Sequence, residues 1–440
     1  MNFSDPTDGL VLAAPRYPET WFYAVSGNIM RPWEFSGWQT ESLSWKNTAY
    51  IHGGLSGYGP MNFTGPDAEK FIASICTNSF AKFPIGAMKH AIMCTEEGLV
   101  ASHGVLQRMG PEEFRLFASG IWAAYMHSKT DLDVQIEHKR DYLFQVAGPK
   151  SLEILEKVTG ESLRDIQFLR FRDSRINGKS VEVARVGMAG TLAYELHGPM
   201  ADAPEIYDAV YQAGKELGIE RLGWRTYFVN HIEGGFPQQV WTFVSAQVAD
   251  PDFLRYFENT KVALNPKLMV SGSVDPSDMR ARFRTPFEVN WDISVKFNHD
   301  FVGRAALEPE AADIKRRTVT LRWHPDDILD IYASLLRPGD PYKQLELPAS
   351  PHIRGQHAHA DHVLKDGKRV GIASGTVYSF YYREVISHCA IDVDQAEIGN
   401  EVVVEWGDYG GRIKQVRAVV ERFPYLDIGR NSDVDVSATR

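Results

Sequence analysis

Apolar and polar positions change their period several times along the 440 residues, and each change marks a predicted element. DAEKFIASICTN (67–78) places Ala68, Phe71, Ile72 and Ile75 at helical spacing. Strands over Ala91–Cys94, Leu99–Leu106 and Glu113–Ala118 follow, then a helical pattern over Ile121–Met126, which together predict a compact α+β unit. DYLFQVAGPKSLEILEKVTG (141–160) reads as a strand, a Gly-Pro turn and a helix. VEVARVGMAGTLAYELHGP (181–199) reads as a hairpin. Val181, Val183 and Arg185 lie on its first strand, Gly187 and Gly190 in the turn, and the second strand ends near His197, Gly198 and Pro199. Ala203–Leu217 is an amphipathic helix with the stripe Ile206, Val210, Ala213 and Leu217. After Val244 the pattern is irregular as far as PFEVNWDISVKFNHDFVGRAAL (286–307). From Arg316 a period of two takes over and recurs through Val370–Tyr378, Val385–Asp392, Glu401–Glu405 and Val416–Val420, with one helical excursion at 331–342. Short, closely spaced strands predict an all-β C-terminal domain, 312–440, after an α+β region, 1–311.

Composition narrows the function. A formal net charge of −10 disfavours nucleic acid and anionic membrane surfaces as partners. The three cysteines, Cys76, Cys94 and Cys389, are scattered without CxxC spacing, so neither a disulfide framework nor a zinc knuckle is signalled. MNFSDPTDGL lacks the basic-then-apolar order of a signal peptide, and no apolar run approaches the ~20 residues a membrane helix needs. These features lead to the expectation of a cytoplasmic protein, a monomer or homodimer.

Candidate chemistry concentrates between 181 and 243, where polar groups sit among apolar ones. Glu195 lies in a strand between Tyr194 and Leu196, and Arg225, Tyr227 and Glu233 follow among Trp224, Phe228, Phe236 and Trp241. A buried carboxylate costs several kcal/mol unless something bonds it, so carboxylates beside rings suit a flat heterocycle with N–H donors, such as a pterin. Eight large rings crowd residues 17–45, Tyr23 among them; they either clamp one domain on another or line an aromatic pocket. The glycine-rich loop HGGLSGYGPM (52–61) has neither P-loop nor nucleophile-elbow spacing. HIRGQHAHADH (352–362) is the one tempting metal pattern, but its spacing fits no zinc motif and a solvated loop is expected, so no metal is assigned. His103, mid-strand in an apolar run, is either a satisfied core histidine or a functional group.

RVGMAGTLAYELHGP and GWRTYFVNHIEGG resemble the RxG(M/Y)xG…E(I/L) and GxR…LEAG segments of the aminomethyltransferase (glycine-cleavage T-protein) superfamily, and the 286–307 segment resembles its P-x-E…K…FIGR signature. The longer spacing and the embedded tyrosine are similar to the superfamily's tetrahydrofolate-dependent aryl O-demethylase branch. The resemblance implies a three-domain folate-binding fold: two intertwined α+β subdomains within 1–311, one roughly 56–138, and a C-terminal β-barrel-like domain. It implies transfer of a methyl group from a methoxylated aromatic acid to N5 of tetrahydrofolate. Relatives of the same fold that act on aminomethyl, amine or sulfonium donors, or that bind folate without turnover, are the alternatives.

Site residues follow from the matched positions. Gln145, Tyr194, Glu195, Arg225, Glu233 and Phe236 are implied to hold the folate, Glu195 through hydrogen bonds from the pterin amino and ring N–H groups. Arg225 and Glu233 either bond each other or the folate. Tyr227 matches the tyrosine at the methyl-transfer site. His103 stands where the superfamily commonly has aspartate, and either holds a substrate carboxylate or moves a proton. Tyr23, His103 and Tyr227 are implied to touch substrate. Phenolate leaves poorly, so the departing oxygen needs alignment and a donor, and a tyrosine hydroxyl, of ordinary pKa ~10, is matched to that task.

Overall fold

The computed structural model describes residues 11–12, 22–26, 29–56, 59–117, 120–188, 190–239, 241–260, 269–347 and 357–438. A six-stranded sheet holds the middle of the molecule, in the order Phe171–Ile176, Lys179–Ala184, Ala193–Pro199, Asp141–Ala147, Ala49–His52, Ile219–Arg221. Side chains alternate across it. Phe144, Val146, Val183, Tyr194 and Leu196 point to one face. There they form a dry core with Leu152, Ile154 and Leu155 of the Ser151–Thr159 helix and Ile206, Tyr207 and Val210 of the Ala203–Gly214 helix. The first of these helices ends at Gly160, whose φ of 74° makes the left-handed stop that a residue without Cβ takes most easily. Both helices match the sequence pattern.

A second, five-stranded sheet runs Met88–Cys94, Val100–Gly110, Glu113–Phe117, Met61–Thr64, Gln135–His138. The Ala68–Ile75 and Ile121–His127 helices cover it, together with a helix over Pro251–Glu258 that the irregular stretch after Val244 did not predict. Phe253 of that helix buries its ring against Trp122 and Tyr125, at centroid distances of 5.5 and 5.4 Å.

The third part is a closed six-stranded barrel: Arg316–Trp323, Glu384–Asp392, Lys368–Ser379, Asp361–Lys365, Glu401–Trp406, Lys414–Glu421. Closure leaves no open sheet edge. The chain then leaves the barrel and returns to the central sheet. Leu426 N–H donates to the Glu233 carbonyl at 2.7 Å, Arg185 donates to Asn431, and Val436 enters the core beneath the sheet. The last residues of the predicted C-terminal domain thus pack on the first one.

The His-rich segment departs from expectation. His352 lies outside the described residues, but His357–His359 forms a short parallel strand with Met269–Ser271. His359 and Asp361 are buried, joined Nε2 to Oδ2 at 2.6 Å, with Ser271 Oγ 2.8 Å from His359 Nδ1. This Ser-His-Asp grouping is structural. The amides that could serve an oxyanion are committed, Gly272 N–H to Asp408 and Ser273 N–H to Asp361. Among the described residues no group of three or more His, Cys, Asp or Glu side chains is placed to hold a metal, and no helix is long and apolar enough to cross a membrane.

Candidate active site

The Trp224–Glu233 helix, which the pattern did not reveal, lies between the central sheet and the barrel with every residue but Arg225 buried. A helix buried on every side, with polar Thr226, Asn230, His231 and Glu233 among its apolar residues, has no amphipathic stripe to betray it. Glu41 fixes its N-terminus, accepting from Gly223 N–H at 2.8 Å and Thr226 Oγ at 3.0 Å, and also from Phe35 N–H at 2.7 Å. Burial pushes the Glu41 carboxyl up to about 7 even against those donors. Around the helix Trp33, Trp45, Trp224, Phe228 and Trp241 pack with Val377 and Ile386 of the barrel, and Trp38 sits edge-on to Tyr378 and Phe380 at 5.8 and 5.7 Å. These rings of the aromatic N-terminal stretch act as the clamp. Tyr23 lies on the Phe22–Ser26 strand, and its side chain is outside the described residues.

Tyr227 is fully buried in this helix and borders a cavity of about 1600 Å³. Its ring stacks on His52 (4.4 Å, 12°) and Trp224 (4.9 Å, 12°), with His231 edge-on at 4.2 Å. His52 and His231 each face a backbone carbonyl, Nδ1 to Leu222 O and Nδ1 to Tyr227 O, both at 2.9 Å, which fixes the tautomer with Nε2 unprotonated. Burial holds His52 down at about 3 and His231 at about 4, so both rings are neutral. Gly54 permits the stack: a Cβ there would lie 2.6 Å from the His52 ring and 2.8 Å from Trp224. Gly54→Ala is expected to cost about 1–3 kcal/mol of stability by overpacking, read from chemical denaturation; an unchanged midpoint would show that the stack yields freely.

The same cavity is bordered by Glu195, His90, His103, Phe117, Phe236 and Trp291. Strand register explains the Glu195 side. His52, Gln145 and Glu195 are paired across three neighbouring strands and so share the face opposite the dry core. Gln145 Nε2 donates to Glu195 Oε1 at 3.1 Å; it holds the carboxylate rather than bordering the cavity. Tyr194, expected beside the cofactor, points to the other face and sits in the core beneath the sheet, because adjacent strand residues cannot face the same cavity.

His103 borders the cavity beside Trp291 (4.6 Å), and its Nδ1 meets His90 Nε2 at 3.1 Å. Both rings keep some area open to the cavity yet are enclosed by protein atoms. Burial, with His90 and His231 nearby, holds His103 well below its ordinary pKa, and burial holds His90 at about 4. His103, expected either to hold a substrate carboxylate or to move a proton, thus faces the cavity as a neutral imidazole beside His90. Phe236 lies 5.3 Å from His90 and 5.7 Å from Trp291, forming an aromatic wall with them.

Arg225 and Glu233 do not bond each other, and neither borders the cavity. Arg225 pairs with Glu34 at 3.0 Å and lies over Trp38. Glu233 is wholly buried, ion-paired to Lys46 at 2.5 Å and accepting from Ser379 Oγ at 2.6 Å. They anchor the helix rather than face the cavity. His52, His90, His197, His231 and Trp291 were not singled out from the sequence. Only His197 had a local signal there, its place two residues beyond Glu195 on one strand face.

The fit to a reduced pterin can be judged from the donor set. Glu195 accepts one bond at each oxygen, from Gln145 and from His197 Nε2 at 3.2 Å, so about two of its roughly four lone-pair positions remain for N–H donors in the cavity. That matches the paired amino and ring N–H edge of a pterin. Ligand pockets usually span ~300–1,000 Å³; 1600 Å³ is room for two ligands side by side.

A three-part fold with a carboxylate and a neutral aromatic wall on one cavity fits a one-carbon transferase of the folate-binding class. The family model for the GCVT N-terminal domain matches residues 19–240, and the chain belongs to that family. It is 39% identical over 420 residues to sesamin methylene transferase of a Sinomonas species, covering 92% of this chain and 93% of that protein. It is 30% identical over 434 residues to syringate O-demethylase of a Sphingobium species, covering 93% of each. The glycine cleavage system aminomethyltransferase T from Bartonella henselae shares the fold, with a TM-score of 0.67 at 15% identity over 94% of this chain and 96% of that one. The expected α+β, barrel-ended fold is thus the one observed, and the protein is a tetrahydrofolate-dependent enzyme of the methyltransferase type.

Proposed function

We propose that this protein moves the one-carbon unit of an aryl ether, a methoxylated aromatic acid or a neutral counterpart, to tetrahydrofolate, and that it does so in the cytoplasm, where its three unpaired, buried cysteines stay reduced. The observation that carries the reading is a single cavity bounded both by Glu195 and by Tyr227, His103, Phe236 and Trp291. When bound, tetrahydrofolate supplies N5 as the acceptor of the carbon. The methyl C–O bond of the ether would break with its electron pair going to the aryl oxygen, which stays on the ring, so that the products are a phenol and 5-methyltetrahydrofolate. Glu195 takes the N–H edge of the pterin and sets its height in the cavity. Phe236 and Trp291 hold a flat ring by stacking, and the dry wall favours in-line approach over hydrolysis. Tyr227 O–H donates to the departing oxygen.

Likeness to syringate O-demethylase favours a methyl donor, and the 39% identity to sesamin methylene transferase favours a second reading in which a methylene unit is moved instead. A neutral His103 in the aromatic wall leans toward substrates whose ring end is uncharged. Incubation with tetrahydrofolate and a panel of methoxybenzoates, neutral methoxyarenes and methylenedioxyarenes, followed by chromatography of the folate, decides among them. Folate product from at least one aryl ether is expected; product from glycine-cleavage intermediates alone would overturn the reading.

Glu195→Gln removes one acceptor and the charge. It is expected to weaken tetrahydrofolate binding by about 10-fold or more, the worth of a charge-assisted hydrogen bond. A Kd within twofold of wild type would remove Glu195 from the folate site.

A further inference from the structure

Behind Glu195 lies an alternating chain of charges that the expected site did not include. Arg115 Nη1 meets Glu182 Oε2 at 3.2 Å, Glu182 Oε1 meets His197 Nδ1 at 2.8 Å, and His197 Nε2 meets Glu195 Oε2 at 3.2 Å. Gln107 Nε2 donates to Glu182 at 2.6 Å and Gln145 to Glu195, closing both ends. Glu182 and His197 are register partners on adjacent strands, and Phe117 stacks on the imidazole at 4.1 Å. Both ring nitrogens of His197 face carboxylate oxygens. A neutral imidazole has one N–H and would turn a lone pair on the second carboxylate, so the geometry requires two N–H groups.

We propose that His197 is a positioning residue: bridging Glu182 and Glu195 through both ring nitrogens, it keeps the Glu195 carboxyl group aimed into the cavity to receive the N–H edge of the folate. This rests on the assignment of Glu195 to the folate. Burial alone would lower the His197 pKa, but the hydrogen bonds and charges of Glu182 and Glu195 outweigh it and raise it to about 9. Glu182 is correspondingly held below its usual value, against burial, chiefly by its bond to His197. The other titratable groups facing this chain are Arg115 from the second sheet, Tyr50 from the Ala49–His52 strand, whose phenol burial and Glu195 push up, and Asp141, whose own carboxyl burial pushes up. A histidine pKa raised on folding adds stability that is complete below its unfolded value near 6.5 and lost as pH rises through about 9. Folate affinity has the same sign: steady from pH 6 to 8, and falling as the imidazolium loses its proton.

The test is the pH dependence of tetrahydrofolate Kd, measured by calorimetry from pH 6 to 10 under anaerobic conditions, for wild type, His197→Gln, Glu182→Gln and Glu195→Gln. Wild type should lose affinity with a midpoint near pH 9. Glu182→Gln, which keeps the imidazole and its packing, should move that midpoint down by a pH unit or more. His197→Gln should bind about 10-fold more weakly at pH 7 and show no alkaline limb. A flat wild-type profile to pH 10, or an unmoved limb in Glu182→Gln, overturns the role of His197 even if Glu195→Gln binds weakly. A Glu195→Gln variant that binds like wild type fails the folate assignment instead, and the proposal with it.

Discussion

Tyr227→Phe should reduce single-turnover rates by roughly 10²–10³-fold, ~2.7–4 kcal/mol of transition-state stabilisation, with tetrahydrofolate Kd nearly unchanged. The size follows from the surroundings. Packed against His52 and Trp224, with His52 and His231 both neutral, the hydroxyl works beside groups of low charge, where a donor to a developing phenolate is worth more than in water. Phenylalanine keeps both stacking contacts, so a folding defect is not expected to mimic the loss. Equal rates in the two proteins would take the hydroxyl out of the chemistry, and a parallel fall in folate affinity would make Tyr227 a binding group instead.

Glu233→Ala should lower the free energy of unfolding by about 3–5 kcal/mol, because it strands a buried ammonium. Lys46 and Glu233 have side chains 1% and 0% exposed, and burial holds the Lys46 pKa down while Glu233 raises it again. Trp45 and Tyr381 lie 4.3 and 4.6 Å from the Lys46 Nζ and supply only part of what the carboxylate gives. Lys46→Met combined with Glu233→Leu should recover most of the loss, since removing both charges also removes their desolvation. Urea denaturation of the two single variants and the pair reads this directly. A pair as unstable as the single variants would show that the site needs the ions for geometry rather than for charge balance.

Local periodicity carried most of the fold. The Glu195 strand, the two helices on the dry face and the barrel strands each have a period that only one structure satisfies, and the observed registers agree with it. The Trp224–Glu233 helix was hidden because it is buried on every side, and the Pro251–Glu258 helix because its stripe lies in an otherwise irregular stretch. Tyr194 was placed beside the cofactor with its neighbour, which the period of two forbids. The partners of Arg225 and Glu233 are Glu34 and Lys46, about 190 residues away, and no local pattern points to them. His359 and Asp361, two apart on one face, had the alternation of a buried pair, but polar flanks made the stretch look solvated. The Glu182–His197 pairing depends on the exact length of the hairpin turn, which the glycines at 187 and 190 left open.

The most direct test of the account follows the carbon itself. Enzyme, tetrahydrofolate and an aryl ether carrying ¹³C at its methoxy or methylenedioxy carbon are mixed without oxygen, and the folate is examined by ¹³C NMR. The label should appear on the folate at one equivalent per phenol released, and Tyr227→Phe should slow both together. Label released as free formaldehyde or methanol, or an aryl ether left intact while the folate stays bound, would contradict it.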